Sequence, residues 1–282
     1  MKKTLFTFTL IMAMALVAHA QSDTPYFQES DLADATLYLP PPPDTTSAQF
    51  EYDKSQFEWG RSMRETERGQ VAVSEVNGLY PFVCNLYSTA FGMTISPEAT
   101  PAIYKVLANS LKSAANATSA CKSYYHRQRP FSYYGEEMFT GESLGNSSYP
   151  STHAAKGWIL ALLLTEINPK AEVELLKKGY EYGQNRVIVG AHWQSDVDAA
   201  RLVAAYCYAR LQSDSTFRAD MEDAKKEYKQ LINAAIDDIT IDETDHNKTA
   251  DGSTQWYTID GIPAGSDTHG IVVSRRGKKI NR

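Results

Sequence analysis

The 282 residues suffice for one principal hydrophobic core with a small appendage, and a composition of 43% hydrophobic and 22% charged residues excludes a disordered chain. A formal net charge of −6 gives no general attraction for nucleic acid. Any anionic ligand therefore needs a local cluster of basic side chains.

The first twenty residues, MKKTLFTFTLIMAMALVAHA, set two lysines before an apolar stretch that closes on Ala18 and Ala20. This layout predicts a cleaved secretory signal over 1–20 and export to the periplasm, with a mature start near Gln21. Residues 21–54 include YLPPPPDTTSAQ, whose consecutive prolines enforce an extended polyproline segment, and read as a lead-in strap. From 55 to 237 the texture is helical with little two-residue alternation, so the fold class is all-α, a helical bundle with short connections. One helix is predicted from Pro101, with Ile103, Val106, Leu107 and Leu111 on its apolar face, running to the neighbourhood of Pro130. STHAAKGWILALLLTEI forms a core helix, because its apolar run is too short, between Lys156 and Glu166, to span a bilayer. AEVELLKKGYEYGQNRV forms a third helix ending near Gly190, and WQSDVDAARLVAAYCYARL a fourth with Val197, Leu202, Val203 and Tyr206 buried. Residues 238–282 turn acidic and β-rich, with strands expected in YTIDG and HGIVVSRRGKK, and form a small C-terminal appendage. The cysteines Cys84, Cys121 and Cys207 allow at most one internal pair, which the sequence does not select.

Three islands carry chemistry. In KSYYHRQRP, Lys122 and Arg129 are seven apart, so a continuous helix would project both cations from one face. A solvated basic face would look the same. In SSYPSTHAAKGW, Ser151 occupies the N-cap position, so the N–H groups of Ser151, Thr152 and His153 open toward an anion, and His153 could protonate a leaving group. A plain cap with a surface histidine fits too. In NRVIVGAHWQSD, Arg186 precedes His192 and Asp196 follows it by four, a spacing at which a carboxylate fixes the imidazole tautomer and frees the other nitrogen as nucleophile or base. A surface His/Asp contact has the same spacing, and a metal pair is disfavoured by the neighbouring cations.

The order K-x6-RP, PS-x-H and R-x5-H-x3-D resembles the three-part signature of the type 2 phosphatidic acid phosphatase superfamily, whose soluble members share their fold with vanadate haloperoxidases. LPPPP, TERG, RPFSYYG, SYPSTH, LTEINP and GYEYGQNRVIVGAHWQSDVDAARLV narrow the resemblance to class A bacterial non-specific acid phosphatases, over roughly residues 38–235. The resemblance implies that Lys122, Arg129 and Arg186, with Ser151 and the backbone at Thr152, hold a phosphoryl group. It implies that His192 attacks phosphorus, Asp196 orients it, and a protonated His153 serves the leaving alcohol, giving an acidic optimum. Small phosphomonoesters are then the substrates, no metal or other cofactor is required, nucleic acid is no partner, the mature chain has no membrane span, and a homo-oligomer is hinted at. The chain departs from the family pattern at Thr152, where glycine is usual, and at Asn185, where serine is usual. A haloperoxidase-like enzyme, a lipid phosphatase and an inactive phosphate-binding protein are the competing expectations. The tail resembles short C-terminal sorting segments of secreted Bacteroidetes proteins, and an ordinary terminal hairpin is the alternative.

Overall fold

The computed structural model describes residues 24–237 and the strand segments 257–258, 270–274 and 277–281. The predicted signal over 1–20 lies outside the described residues, as does most of the predicted appendage. The described residues up to Ala224 form one compact unit and the described residues from Lys225 onward a second. Helices run in the order α1 (Ala48–Met63), α2 (Glu67–Ser74), α3 (Tyr80–Asn85), α4 (Ser88–Phe91), α5 (Pro101–Ala117) and α6 (Ser119–Tyr125). They continue with α7 (Pro130–Tyr133), α8 (Thr152–Ile167), α9 (Glu172–Ile188), α10 (Gln194–Leu211) and α11 (Ser215–Asp237). No described helix is long and apolar enough to cross a membrane.

The bundle is built around α8. Ala154, Ala155, Ile159, Leu160, Ala161, Leu163 and Leu164 are all buried, so the helix is apolar all round and sits at the centre, packed against α5, α9 and α10. The approach to α9 is close enough to require glycine. A Cβ at Gly157 would lie 2.4 Å from Cδ1 of Tyr182, and one at Gly179 would lie 2.6 Å from Cβ of Ala161. Gly157→Ala is therefore expected to cost about 1–3 kcal/mol in urea unfolding and to push the Tyr182 ring aside.

Several elements differ from expectation. The predicted helix from Pro101 to the region of Pro130 is two helices, α5 and α6, and a non-helical link. Thr118 interrupts it, its hydroxyl turned back to the Ala115 carbonyl at 2.8 Å, and α6 then ends at His126, whose φ of 44° is left-handed. Arg129 is extended because it precedes Pro130. Helix α1 begins at Ala48, inside the predicted lead-in, because the Ser47 hydroxyl caps it by accepting from the Phe50 N–H at 3.2 Å. On α10, Val197 and Val203 are buried as predicted, whereas Leu202 is 54% exposed. Leu202 directly precedes Val203 and so points about 100° away around the helix.

The strap from 24 to 47 is fastened along the bundle. The Thr24 N–H donates to Asn109 Oδ1 at 3.0 Å, the Tyr26 N–H to Ser113 Oγ at 2.9 Å, and the Ala33 N–H to the Tyr206 hydroxyl at 2.8 Å. At its polyproline end the Tyr149 hydroxyl donates to the Pro40 carbonyl at 2.5 Å. Two short turns of 3-10 helix, Glu29–Asp31 and Ala35–Leu37, interrupt the extended course expected for it. In the second unit, β1 (Tyr257–Thr258), β2 (Gly270–Ser274) and β3 (Gly277–Asn281) form an antiparallel sheet in that order, with Ile271 opposite Ile280. HGIVVSRRGKK, read as one strand, thus contributes to both β2 and β3.

Among the described residues no disulfide forms, and all three cysteines are buried. Burial raises the Cys121 thiol to about 11 and that of Cys207 to about 12, which leaves neither reactive.

Candidate active site

Five separate elements deliver the predicted residues to one place. Lys122 comes from α6, Arg129 from the N-cap of α7, Ser151 to His153 from the start of α8, and Arg186 from the last turn of α9. His192 lies in the short link before α10, and Asp196 in that helix's first turn. Lys122 and Arg129 do not share a helix face, since α6 stops between them. Each is aimed by its own contacts: Lys122 Nζ donates to the Ser147 carbonyl at 2.8 Å, and Arg129 Nε to the Gly145 carbonyl at 2.7 Å.

The His192/Asp196 contact also arises differently from expectation. His192 precedes the helix, and Asp196 folds back over the helix start, its Oδ2 accepting from the Trp193 N–H at 2.8 Å and lying 3.4 Å from His192 Nδ1. Arg129 Nη1 stands 3.0 Å from His192 Nε2 and also donates to the Ala191 carbonyl at 2.8 Å. A guanidinium can only donate, so Nε2 is the acceptor and the ring proton resides on Nδ1, facing Asp196. Burial, reinforced by Arg129 and Lys122 and opposed by Asp196, pushes the imidazolium of His192 down to about 3. The ring is therefore neutral with a lone pair on Nε2. Burial works to raise the Asp196 carboxyl, but Arg127, His192 and Ser148 together hold it well below the usual carboxylate range.

The cationic wall is equally specific. Burial and the neighbouring Arg129 lower the Lys122 ammonium to about 8. Arg186 is buried, and its Nε and Nη1 have no acceptor among the described residues, while Nη2 donates to the Glu142 carboxylate at 3.1 and 3.3 Å. His153 stacks on Tyr182, with centroids 4.2 Å apart and planes 17° apart, and its Nε2 is buried without a partner among the described residues. Buried donors of this kind are costly to leave unmade, and two of them on one guanidinium suit an anion with several oxygens. Ser151 caps α8, its Oγ accepting from the Ala154 N–H at 3.2 Å.

The PAP2 superfamily pattern matches residues 103–216, the span that contains all of these groups. The chain is 42% identical over 214 residues to a non-specific acid phosphatase of Providencia stuartii, covering 74% of this chain and 86% of that protein. The chain belongs to the class A acid phosphatases of the PAP2 superfamily. It is also 34% identical over 238 residues to a non-specific acid phosphatase of Salmonella typhimurium, covering 83% of this chain and 95% of the relative. An acid phosphatase of Zymomonas mobilis is 30% identical over 228 residues, covering 79% and 86%.

In this acid phosphatase the departures from the family pattern have local partners. The Thr152 hydroxyl lies 2.7 Å from that of Thr118, tying the start of α8 to the break between α5 and α6. Asn185 is buried and its Nδ2 donates to Glu75 Oε2 at 2.8 Å, while the Glu75 backbone carbonyl bonds the His153 ring. The proton expected on His153 from sequence is disfavoured in the free acid phosphatase. Burial, then Arg186, His192 and Lys156, hold its imidazolium well below the ordinary histidine value.

The sequence reading passed over four residues: Ser148, Arg127, Asp53 and Glu142. Ser148 Oγ donates to Asp196 Oδ2 at 2.5 Å, and Arg127 Nη1 to Asp196 Oδ1 at 2.5 Å. Glu142 takes a phosphate-like place on Arg186, so Glu142→Gln is expected to tighten competitive inhibition by inorganic phosphate severalfold, the ~0.2–1 kcal/mol of a partly exposed ion pair. Of these, only Arg127 had a visible signal, the additional cation inside KSYYHRQRP. His126, Tyr124 and Tyr133 are exposed, and Tyr134 stacks on Phe57 with centroids 4.6 Å apart.

Proposed function

We propose that this acid phosphatase cleaves phosphomonoesters through a phosphohistidine on His192, after export directed by residues 1–20 to the periplasm. The observation that carries this reading is the neutral His192 ring with its Nε2 lone pair set 3.0 Å from Arg129 Nη1, next to a buried Arg186 whose Nε and Nη1 lack acceptors. A phosphoryl group placed there meets Arg129 and Arg186 on its equatorial oxygens, with Lys122, Ser151 and the backbone at Thr152 completing the cradle. Nε2 of His192 forms the P–N bond as the ester P–O bond breaks, and the alcohol leaves with a proton from His153. Asp196 faces the Nδ1–H and stabilises the positive charge that the ring acquires. Water then attacks phosphorus, loses its proton to His153, and frees phosphate and the neutral His192 ring. An acceptor alcohol in place of water would give phosphotransfer.

Residues 55–237 are read as the catalytic domain behind the 21–54 strap. The tail from 238 is read as a sorting segment on its resemblance to such segments, with β1, β2 and β3 as its described strands. Rapid quenching with radiolabelled substrate is expected to trap an acid-labile, base-stable phosphoenzyme in the intact protein and none in His192→Ala. A turning-over enzyme with no such species under single-turnover conditions would refute the covalent route.

A further inference from the structure

The charged groups behind His192 reach beyond those that face the phosphate. The Arg127 side chain is 8% exposed and lies between two fully buried carboxylates, with Nη2 2.8 Å from Asp53 Oδ2 and Nη1 2.5 Å from Asp196 Oδ1. Asp53, from α1, also accepts from the Ser195 N–H at 2.8 Å and from its hydroxyl at 2.5 Å. Arg127 Nη1 reaches the same Ser195 hydroxyl at 2.8 Å, and the guanidinium lies 5.7 Å from the centre of the Trp193 ring. The Arg127 carbonyl accepts from the Ser148 N–H at 3.0 Å, and Ser148 in turn donates to Asp196. None of the side-chain atoms of Asp53, Arg127, Ser148, Ser195 and Asp196 is both fully buried and without a partner. Even so, buried ion pairs return little net stability over apolar packing, so stability alone is a weak reason to keep one here.

We propose that Arg127 and Asp53 are positioning residues for phosphoryl transfer: their pair takes up one oxygen of Asp196 and offsets its charge, so that the other oxygen orients His192 without converting it to imidazolium. The inference rests on His192 being the nucleophile. The groups acting on that ring are Lys122 from α6, Arg129 at the start of α7, Ser148 in the loop before α8, His153 from α8 and Asp196 from α10, while the Arg186 carbonyl on α9 accepts from the His192 backbone N–H at 3.2 Å. Of the residues named, Asp196 alone is an anion. Asp53, Arg127 and Asp196 together carry a net charge of −1. Without the guanidinium the buried cluster would carry −2 behind the ring, which favours the proton on Nε2 and so raises the pH below which the lone pair is lost.

Nitrogen-15 NMR titration of the His192 ring, read alongside the pH dependence of kcat/KM on p-nitrophenyl phosphate, tests this. Arg127→Met is expected to raise the ring titration by about one pH unit or more and to move the acid limb of kcat/KM upward with it. Arg127→Met combined with Asp53→Asn restores the net charge and should bring both back toward the parent, while kcat stays at least about tenfold low because Oδ1 of Asp196 has lost its clamp. Arg127→Lys should leave the titration in place and lower kcat, since one ammonium cannot bridge both carboxylates. A His192 ring that titrates alike in the parent and in Arg127→Met overturns the proposal. If Arg127→Met does not fold, the double variant decides, and a double variant with parental kcat overturns it. The ring titration is independent of turnover, so it separates this result from failure to trap a phosphoenzyme, which would strike His192 as nucleophile.

Discussion

His192→Ala is expected to lower kcat on p-nitrophenyl phosphate by on the order of 10⁴-fold or more, the scale of losing a nucleophile from an assembled site. Inorganic phosphate should still bind within severalfold of the parent affinity. The two expectations separate because the groups are separate. Lys122, Arg129 and Arg186 are each aimed by contacts that do not pass through the His192 side chain, namely the carbonyls of Ser147, Gly145 and Ala191 and the Glu142 carboxylate. Deleting the imidazole removes the atom that bonds to phosphorus and leaves the cationic wall standing. Steady-state kinetics with phosphate as competitive inhibitor in the parent, and calorimetric phosphate binding in the variant, measure both. Parental turnover in the variant would end the covalent reading, and loss of phosphate binding together with activity would point to collapse of the pocket.

The second large effect concerns His153 and depends on the leaving group. With an alkyl phosphate, whose alkoxide is a poor leaving group, His153→Asn is expected to cost roughly 10²–10⁴-fold in kcat/KM. With p-nitrophenyl phosphate, whose leaving group departs without a proton, the cost in kcat/KM should be far smaller, because that ratio reports the steps up to loss of the leaving group and not the later attack of water that His153 also serves. The pH dependence follows from the direction of the shift. Burial, Arg186 and His192 hold the free enzyme's His153 imidazolium well below its ordinary value, so the proton for the alcohol does not wait on the enzyme at neutral pH. It arrives with the substrate, as the phosphomonoester monoanion, or is drawn onto Nε2 once phosphate charge offsets Arg186. Either way the productive complex holds one proton more than free enzyme plus dianion. kcat/KM should therefore fall tenfold per pH unit above the second ionisation of the ester, at about pH 6. A flat profile from pH 5 to 8 would contradict this accounting. The acidic preference thus comes from proton inventory and not from a histidine that is charged in the resting protein.

The parts of this site legible in the sequence are those with a local signal. Ser151 announces a helix start because a hydroxyl N-cap precedes an apolar run, and the structure begins α8 one residue later, at Thr152. Buried Ile103, Val106, Leu107 and Leu111 follow helical spacing, and Gly190, with a φ of 78°, closes the link after α9 where the pattern breaks. Arg127, Asp53, Ser148 and Glu142 lack such marks. Asp53 lies 143 residues from Asp196, on a helix whose polar positions look like a solvated face, and only tertiary packing buries it. The misplaced helix through Lys122 and Arg129 has a similar cause. Thr118 and His126 are tolerated inside helices, and what stops the helix is a hydroxyl pair with Thr152 and one left-handed residue, neither of which has a periodic trace.

The fastening of the strap bears on how the protein comes into being. Asn109 is 85 residues downstream of Thr24, Tyr206 is 173 downstream of Ala33, and Tyr149, beside the Ser148 and Ser151 that serve the pocket, is 109 downstream of Pro40. A polypeptide made from its amino end cannot complete the fastening of this segment until Tyr206, on α10, has been synthesised. Securing it is then among the last events of maturation, and a nascent chain should remain open to protease at 24–47 until α10 has docked.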